Sequence, residues 1–241
     1  SHVIRRIARE LSKLQPDLVV LYIGNNEVIG PYGPGTVFSG FLSSDVMIRV
    51  SEWAGRLRLT QLLRFALYAV SAKPDEPEEF RGVSMFMDKP VRADDPRLDA
   101  VYRRHEDNLR SIIQSARAAG ADVLLSTVAV NASDCPPAIS VHRDGLSVSQ
   151  LAEWQAHFDQ GGALARKQVW DRALVQFESA QAIDNQYAEL HYNIGTCLRG
   201  LGRGEEARVA FARARDLDAF RYRTDSRMND TIRRIAAAGE P

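Results

Sequence analysis

Long apolar runs are missing from this chain. None of its 241 residues belongs to a stretch approaching the length of a membrane span. An excess of one charge is missing too: Lys plus Arg and Asp plus Glu number 31 each, and the formal net charge is zero. Composition therefore asks for neither nucleic acid nor an anionic membrane surface as partner. Cysteine is scarce. Cys135 and Cys197 lie in different segments, and two thiols make neither a disulfide framework nor a zinc site. They leave the compartment open, cytoplasmic or periplasmic. No secretory leader is visible, and the chain opens inside a helical pattern without an initiator Met. It reads as a piece of a longer polypeptide. A Gly-rich phosphate loop between strand and helix is also lacking. Gly30, Gly33 and Gly35 are interrupted by Pro31 and Pro34, which carry no N–H to offer a phosphate. A nucleotide-binding α/β protein is disfavoured on that ground. What remains is a hydrophobic fraction of 45%, enough for a core, and a length that allows one large domain or two small ones.

The stretch from Pro16 to Gly35, PDLVVLYIGNNEVIGPYGPG, organises the rest. Leu18 to Ile23 is a short continuous apolar run, the pattern of a strand covered on both faces in a parallel sheet. It ends in Gly24-Asn25-Asn26-Glu27. Open α/β sheets place their ligands at the carboxyl ends of their strands. The Gly- and Pro-rich continuation predicts a shaped loop rather than another strand. Asn26 is the leading functional candidate, because a side-chain amide on a rigid strand end can donate hydrogen bonds to a developing oxyanion. The bland alternative is a turn made by Asn25 and Asn26 after a strand.

PDLVV followed by Gly-x-Asn-Asp resembles the third conserved block of the SGNH (GDSL-type) esterases and lipases. Here the block reads Gly24-Asn25-Asn26-Glu27, with Glu27 in place of Asp. The resemblance implies that Asn26 is an oxyanion-hole donor and that Gly24 allows close backbone approach. It also implies a flavodoxin-like, three-layer α/β core with a parallel sheet.

Around this stretch the chain alternates helix and strand. Residues 2–14 form an amphipathic pattern (Val3, Ile4, Ile7, Ala8, Leu11, Leu14), stopped by Pro16. Residues 45–72 predict helix in two pieces, read as core-facing, with a membrane-surface helix as the sharper alternative. Residues 73–97 predict a long irregular segment that could wall a cleft. A helix from Asp95-Pro96 to about Ala119 carries Leu98, Val101, Tyr102, His105, Leu109, Ile112, Ile113 and Ala116 on one face, with Gly120 at its end. A second buried strand, Val123–Val130, follows. This order predicts an α/β domain with a parallel sheet. The segment NLRSIIQSARAAGADVLLSTVAVN resembles the helix and strand that follow the third block in SGNH hydrolases. His105 and His142 are candidate catalytic bases, but they read better as a helix-face and a loop histidine.

The remainder repeats. Gly161 and Gly195 stand 34 positions apart, and the same offset joins Leu164 to Leu198, Ala173 to Ala207, Phe177 to Phe211 and Ala180 to Ala214. A 34-residue period with Gly, Ala, aromatic and Ala at those offsets is the tetratricopeptide (TPR) signature. The two units are Trp154–Tyr187 and Ala188–Arg221. His157 and His191 are equivalent positions of the repeat, which explains the pair better than a metal site does. Two repeats need capping. The helix expected over 224–238 either caps them or, as the helix before the last strand of SGNH hydrolases would, returns to the α/β core. The expected organisation is an SGNH-like core over residues 1–152 lacking its first strand, two TPR units over 153–221, and that helix over 222–241. The Arg-rich stretch 199–234 reads as solvated helix faces balanced by residues such as Glu205, Glu206 and Asp216.

Acyl transfer needs a Ser nucleophile, a His base, an Asp to orient it and an oxyanion hole. The family carries Gly-Asp-Ser and Asp-x-x-His blocks, and neither occurs here. Thr224-Asp225-Ser226 is the nearest string and reads as helix-capping residues. No Gly-x-Ser-x-Gly elbow is present. The expectation is thus the central part of a serine ester hydrolase, inactive alone, using no cofactor and no metal. Its partners would be an ester substrate and a protein or peptide in the repeat groove. The alternative is a non-catalytic repeat scaffold on a degenerate hydrolase frame.

Overall fold

The computed structural model describes residues 1–30, 32–35, 58, 60, 62 and 87–239. Most of the predicted helical region 45–72 and irregular segment 73–97 therefore lies outside the described residues. Those residues are mostly helical, with one small parallel sheet of two strands.

Helix α1 (His2–Ala8) and a 3-10 turn at Leu11–Lys13 replace the single helix expected over 2–14. The Ser1 hydroxyl donates to Glu27 rather than capping the helix, and Gln15 before Pro16 takes φ 44°. Val3, Ile7 and Leu14 are exposed, so only Ile4, Ala8 and Leu11 serve as the apolar face. Strand β1 (Leu18–Leu21) pairs in parallel with β2 (Asp122–Leu125), Leu18 opposite Asp122 and Leu21 opposite Leu125. Among the described residues the sheet is covered on one face. Val19, Leu21, Ile23, Val123 and Leu125 pack inward, while Leu18 (55%), Val20 (56%) and Leu124 (54%) stay open. A continuous apolar run does not by itself distinguish one covered face from two.

Helix α2 (Arg97–Ala118) joins the strands, and all eight predicted face residues are buried. It ends in a Schellman arrangement: Gly120 at φ 85° donates to Arg117, and Ala121 to Ala116. Strand β2 stops at Leu125, five residues short of the expected Val130. The reason is a contact distant in sequence. The backbone of Val128 is bonded to the Asn229 side chain, not to a neighbouring strand.

After an irregular segment come four helices: α3 (Val148–Arg166), α4 (Trp170–Ile183), α5 (Ala188–Gly200) and α6 (Gly204–Leu217). Ser147 and Gln150 close the start of α3 as a capping box. The 34-residue period is visible in three dimensions. Gly161 of α3 lies against the Phe177 ring of α4, and Gly195 of α5 against the Phe211 ring of α6, a built Cβ meeting each ring at 2.8 Å. Gln168 and Gly202, also 34 apart, turn each pair with φ 59° and 74°. Trp154, Phe177, Leu190, Cys197 and Phe211 share one core across the four helices. Helix α7 (Ser226–Ala238) leaves this group. Its Ile232 and Ile235 join Leu21, Leu109 and Ile112 in the core beside the sheet.

Candidate functional site

The carboxyl ends of β1 and β2 lie side by side because the strands are parallel and in register. The chain leaves β1 through Gly24 at φ 147°, a value that favours glycine. A Cβ there would meet Thr224 Cγ2 and Val128 Cγ2 at 3.4 Å, so the two strand exits and the start of α7 converge on Gly24. Asn25 accepts a hydrogen bond from the Thr224 hydroxyl at 2.6 Å. Asn26 follows in the left-handed region, φ 62°, which Asn tolerates better than most side chains. Its carbonyl accepts from Gly30 N–H at 2.7 Å and begins the tight loop. Gly33 closes it, since a Cβ there would fall 1.8 Å from the Val28 carbonyl oxygen. The Asn26 side chain is exposed and makes no hydrogen bond among the described residues. Its amide is therefore free to donate to a ligand at the strand end.

Glu27 turns the other way. Its carboxylate faces inward, with the Ser1 hydroxyl at 2.9 Å and His105 Nδ1 at 3.7 Å. At that distance the His105 contact is electrostatic rather than a hydrogen bond. Asn108 donates to the Ser1 hydroxyl at 2.8 Å and completes the knot. Glu27 thus ties the loop after β1 to α1 and α2, away from the open strand end.

On the other side of Gly24, α7 begins with a buried polar group of its own. Asp225 caps the helix by accepting from Met228 N–H at 3.0 Å and also takes the Tyr102 hydroxyl. Burial, with the Asp225 charge beside it, pushes the Tyr102 phenol up. Arg221, at φ 52°, donates from Nε to the Val91 carbonyl at 3.1 Å. Asn229 then reaches the β2 exit. These contacts fix Thr224, and through it Asn25, relative to Asn26.

The histidines are dispersed. His105 is fully buried on α2. His142 is not a free loop residue: Nδ1 lies 2.8 Å from Asp184 Oδ2, and its ring stacks on Tyr187. His157 bonds Gln176 at 2.8 Å and His191 bonds the Asn185 carbonyl at 2.8 Å, separate partners for the two repeat-equivalent residues. Burial lowers the His191 pKa. Among the described residues, no group of three or more His, Cys, Asp or Glu is arranged to hold a metal ion. No described helix is long and apolar enough to cross a membrane. Many arginines of 199–234 pair as the composition suggested, Arg203 with Glu206, Arg208 with Glu205 and Arg215 with Asp216.

Sequence reasoning missed Thr224 and the reach of Asn229. A polar residue set among Met228, Ile232 and Ile235 was the available signal, since a buried amide must find a partner. Comparison with protein-family models, with curated proteins and with solved structures yields no match.

Proposed function

We propose that this chain supplies the oxyanion-hole region of an SGNH-type serine ester hydrolase, built on a flavodoxin-like α/β core and carrying a TPR-type helical pair. The observation that carries the reading is the exposed Asn26 side-chain amide, without a hydrogen bond among the described residues, just beyond the carboxyl end of a parallel strand and two residues after a glycine at φ 147°. An exposed amide at that place is suited to stabilise the negative charge of a tetrahedral acyl intermediate. Gly24 keeps the backbone free of a side chain where β1, β2 and Thr224 converge. The reading requires a Ser nucleophile, a His base and an orienting Asp from outside these 241 residues, because neither family block for them lies within the sequence. The substrate class is an acyl or acetyl ester.

The test is chromogenic ester hydrolysis by the full-length protein, together with the coding sequence on both sides of residues 1 and 241. Asn26→Ala lowers turnover about a hundredfold or more, the usual loss for one oxyanion donor. Asn26→Gly does the same while accepting φ 62° without strain, which separates the amide from the backbone. Turnover that survives both changes in a folded protein overturns the assignment, and flanks without the Gly-Asp-Ser and Asp-x-x-His blocks favour the scaffold reading.

A further inference from the structure

The irregular segment between β2 and α3 does not hang free. Along its length, from Ala132 to Arg143, it is held by the four-helix repeat. On α5, Glu189, Tyr192, Thr196 and Arg199 recur at helical spacing and share one face. Three of these four contact the segment. Glu189 N–H donates to Ser140 Oγ at 2.9 Å, the Tyr192 hydroxyl to the Ser133 carbonyl at 2.9 Å, and Arg199 to Asp134 at 3.2 Å. The segment therefore runs opposite to α5, its early residues at the helix end and its late residues at the helix start.

Two buried carboxylates fix the far end. Asp184 and Asp218 stand 34 positions apart, each just after the second helix of its repeat, and are 1% and 4% exposed. Asp218 accepts from the N–H groups of Ala138 and Ile139, both at 3.1 Å. Ala219 N–H donates to the Ile139 carbonyl at 2.9 Å, so this short stretch is paired from both sides. Asp184 accepts from Arg143 N–H at 3.3 Å and holds His142 Nδ1. The His142 ring stacks on Tyr187 and meets Trp154 edge-on, with both centroids at 4.5 Å. Equivalent aspartates of successive repeats thus grip positions four apart in one irregular stretch of chain. Pro136 and Pro137 stiffen it before it docks, which reduces the entropy lost on ordering.

We infer that Ala132–Arg143 is a built-in ligand of the helical pair. It occupies the α5 face and the aspartate sites that an extended peptide partner would take. The repeats then act as a clamp that positions the chain leaving β2, not as an open acceptor for a foreign peptide. A tethered segment competes at an effective concentration on the order of millimolar, so a free peptide at micromolar concentration is shut out. This inference is independent of the ester hydrolase reading, because it rests only on helix contacts.

Two measurements test it on the whole chain. In the first, residues 132–143 are replaced by a Gly-Ser sequence of equal length. A fluorescent synthetic peptide covering 131–144 is then titrated by anisotropy. The replaced chain binds the peptide saturably, and the wild-type chain binds it at least about tenfold more weakly. Equal binding to both, or none to a replaced chain of intact helical circular dichroism, overturns the inference. In the second, which does not need the replacement to fold, a nitroxide is attached to Cys135, the exposed thiol within the segment. The wild-type spectrum is that of a slowly moving label, and Asp218→Ala in a folded chain sharpens it. A freely tumbling label in the wild-type chain, or no sharpening in the variant, also overturns it.

Discussion

One side chain satisfies both backbone groups of another residue: Asn229 Oδ1 accepts from Val128 N–H at 2.8 Å, and Asn229 Nδ2 donates to the Val128 carbonyl at 3.0 Å. Val128 is buried, so without Asn229 both groups would lie away from water and unpaired. Asn229→Leu keeps the branched shape of the side chain and loses both bonds. The expected cost is about 2–4 kcal/mol, from leaving a buried donor and acceptor unmet. Urea unfolding followed by helical circular dichroism measures it, and a loss under 1 kcal/mol would show that Val128 finds other partners.

Neighbouring glycines of α3 should respond oppositely to the same change. At Gly161 an added Cβ meets the Phe177 ring at 2.8 Å, whereas at Gly162 the nearest atom is the mobile Arg166 Nη1 at 3.7 Å. Gly161→Ala is expected to destabilise the repeat by about 1–3 kcal/mol through overpacking. Gly162→Ala is expected to stabilise it by up to about 1 kcal/mol through helix propensity. Gly195→Ala should behave like Gly161→Ala, since it faces Phe211 at the same 2.8 Å. Thermal midpoints of the three variants check the pattern.

The two thiols should differ in reactivity. Cys135 is exposed, whereas Cys197 is fully buried in the repeat core and burial pushes its thiol up to about 11. A thiol reagent at pH 7 should modify one cysteine per native chain. The second should react only after denaturant unfolds the helices, because the thiolate is the reacting form. Rapid native modification of both would contradict the burial of Cys197.

What the sequence made legible was mostly what periodicity encodes. The α2 face, the glycine after it and the 34-residue spacing each appear in the structure at the expected residues. These features are local or repeated, so spacing alone reveals them. Element ends were less legible because distant residues set them. The length of β2 depends on Asn229, about a hundred positions on. The run Leu18–Ile23 has the pattern of a doubly buried strand, yet among the described residues Leu18 and Val20 have nothing packed on them and stay exposed. At the candidate site, Gly24 and Asn26 stood out from the strand-end pattern. Thr224 did not, because no motif links a threonine before a helix to a turn at the opposite end of the chain. The docking of His142 on Asp184 was equally invisible, since it joins a loop to a helix end through tertiary packing.

The hydrogen bond from Thr224 to Asn25 spans 199 positions. During synthesis, β1, α2, β2 and all four repeat helices leave the ribosome before the residue that closes the strand exit at Gly24. The helical repeat depends on near neighbours and can condense early, whereas the strand exit must wait for one of the longest loop closures the chain makes. Refolding should therefore show helix signal recovering first and protection of the Gly24–Asn26 amides arriving last.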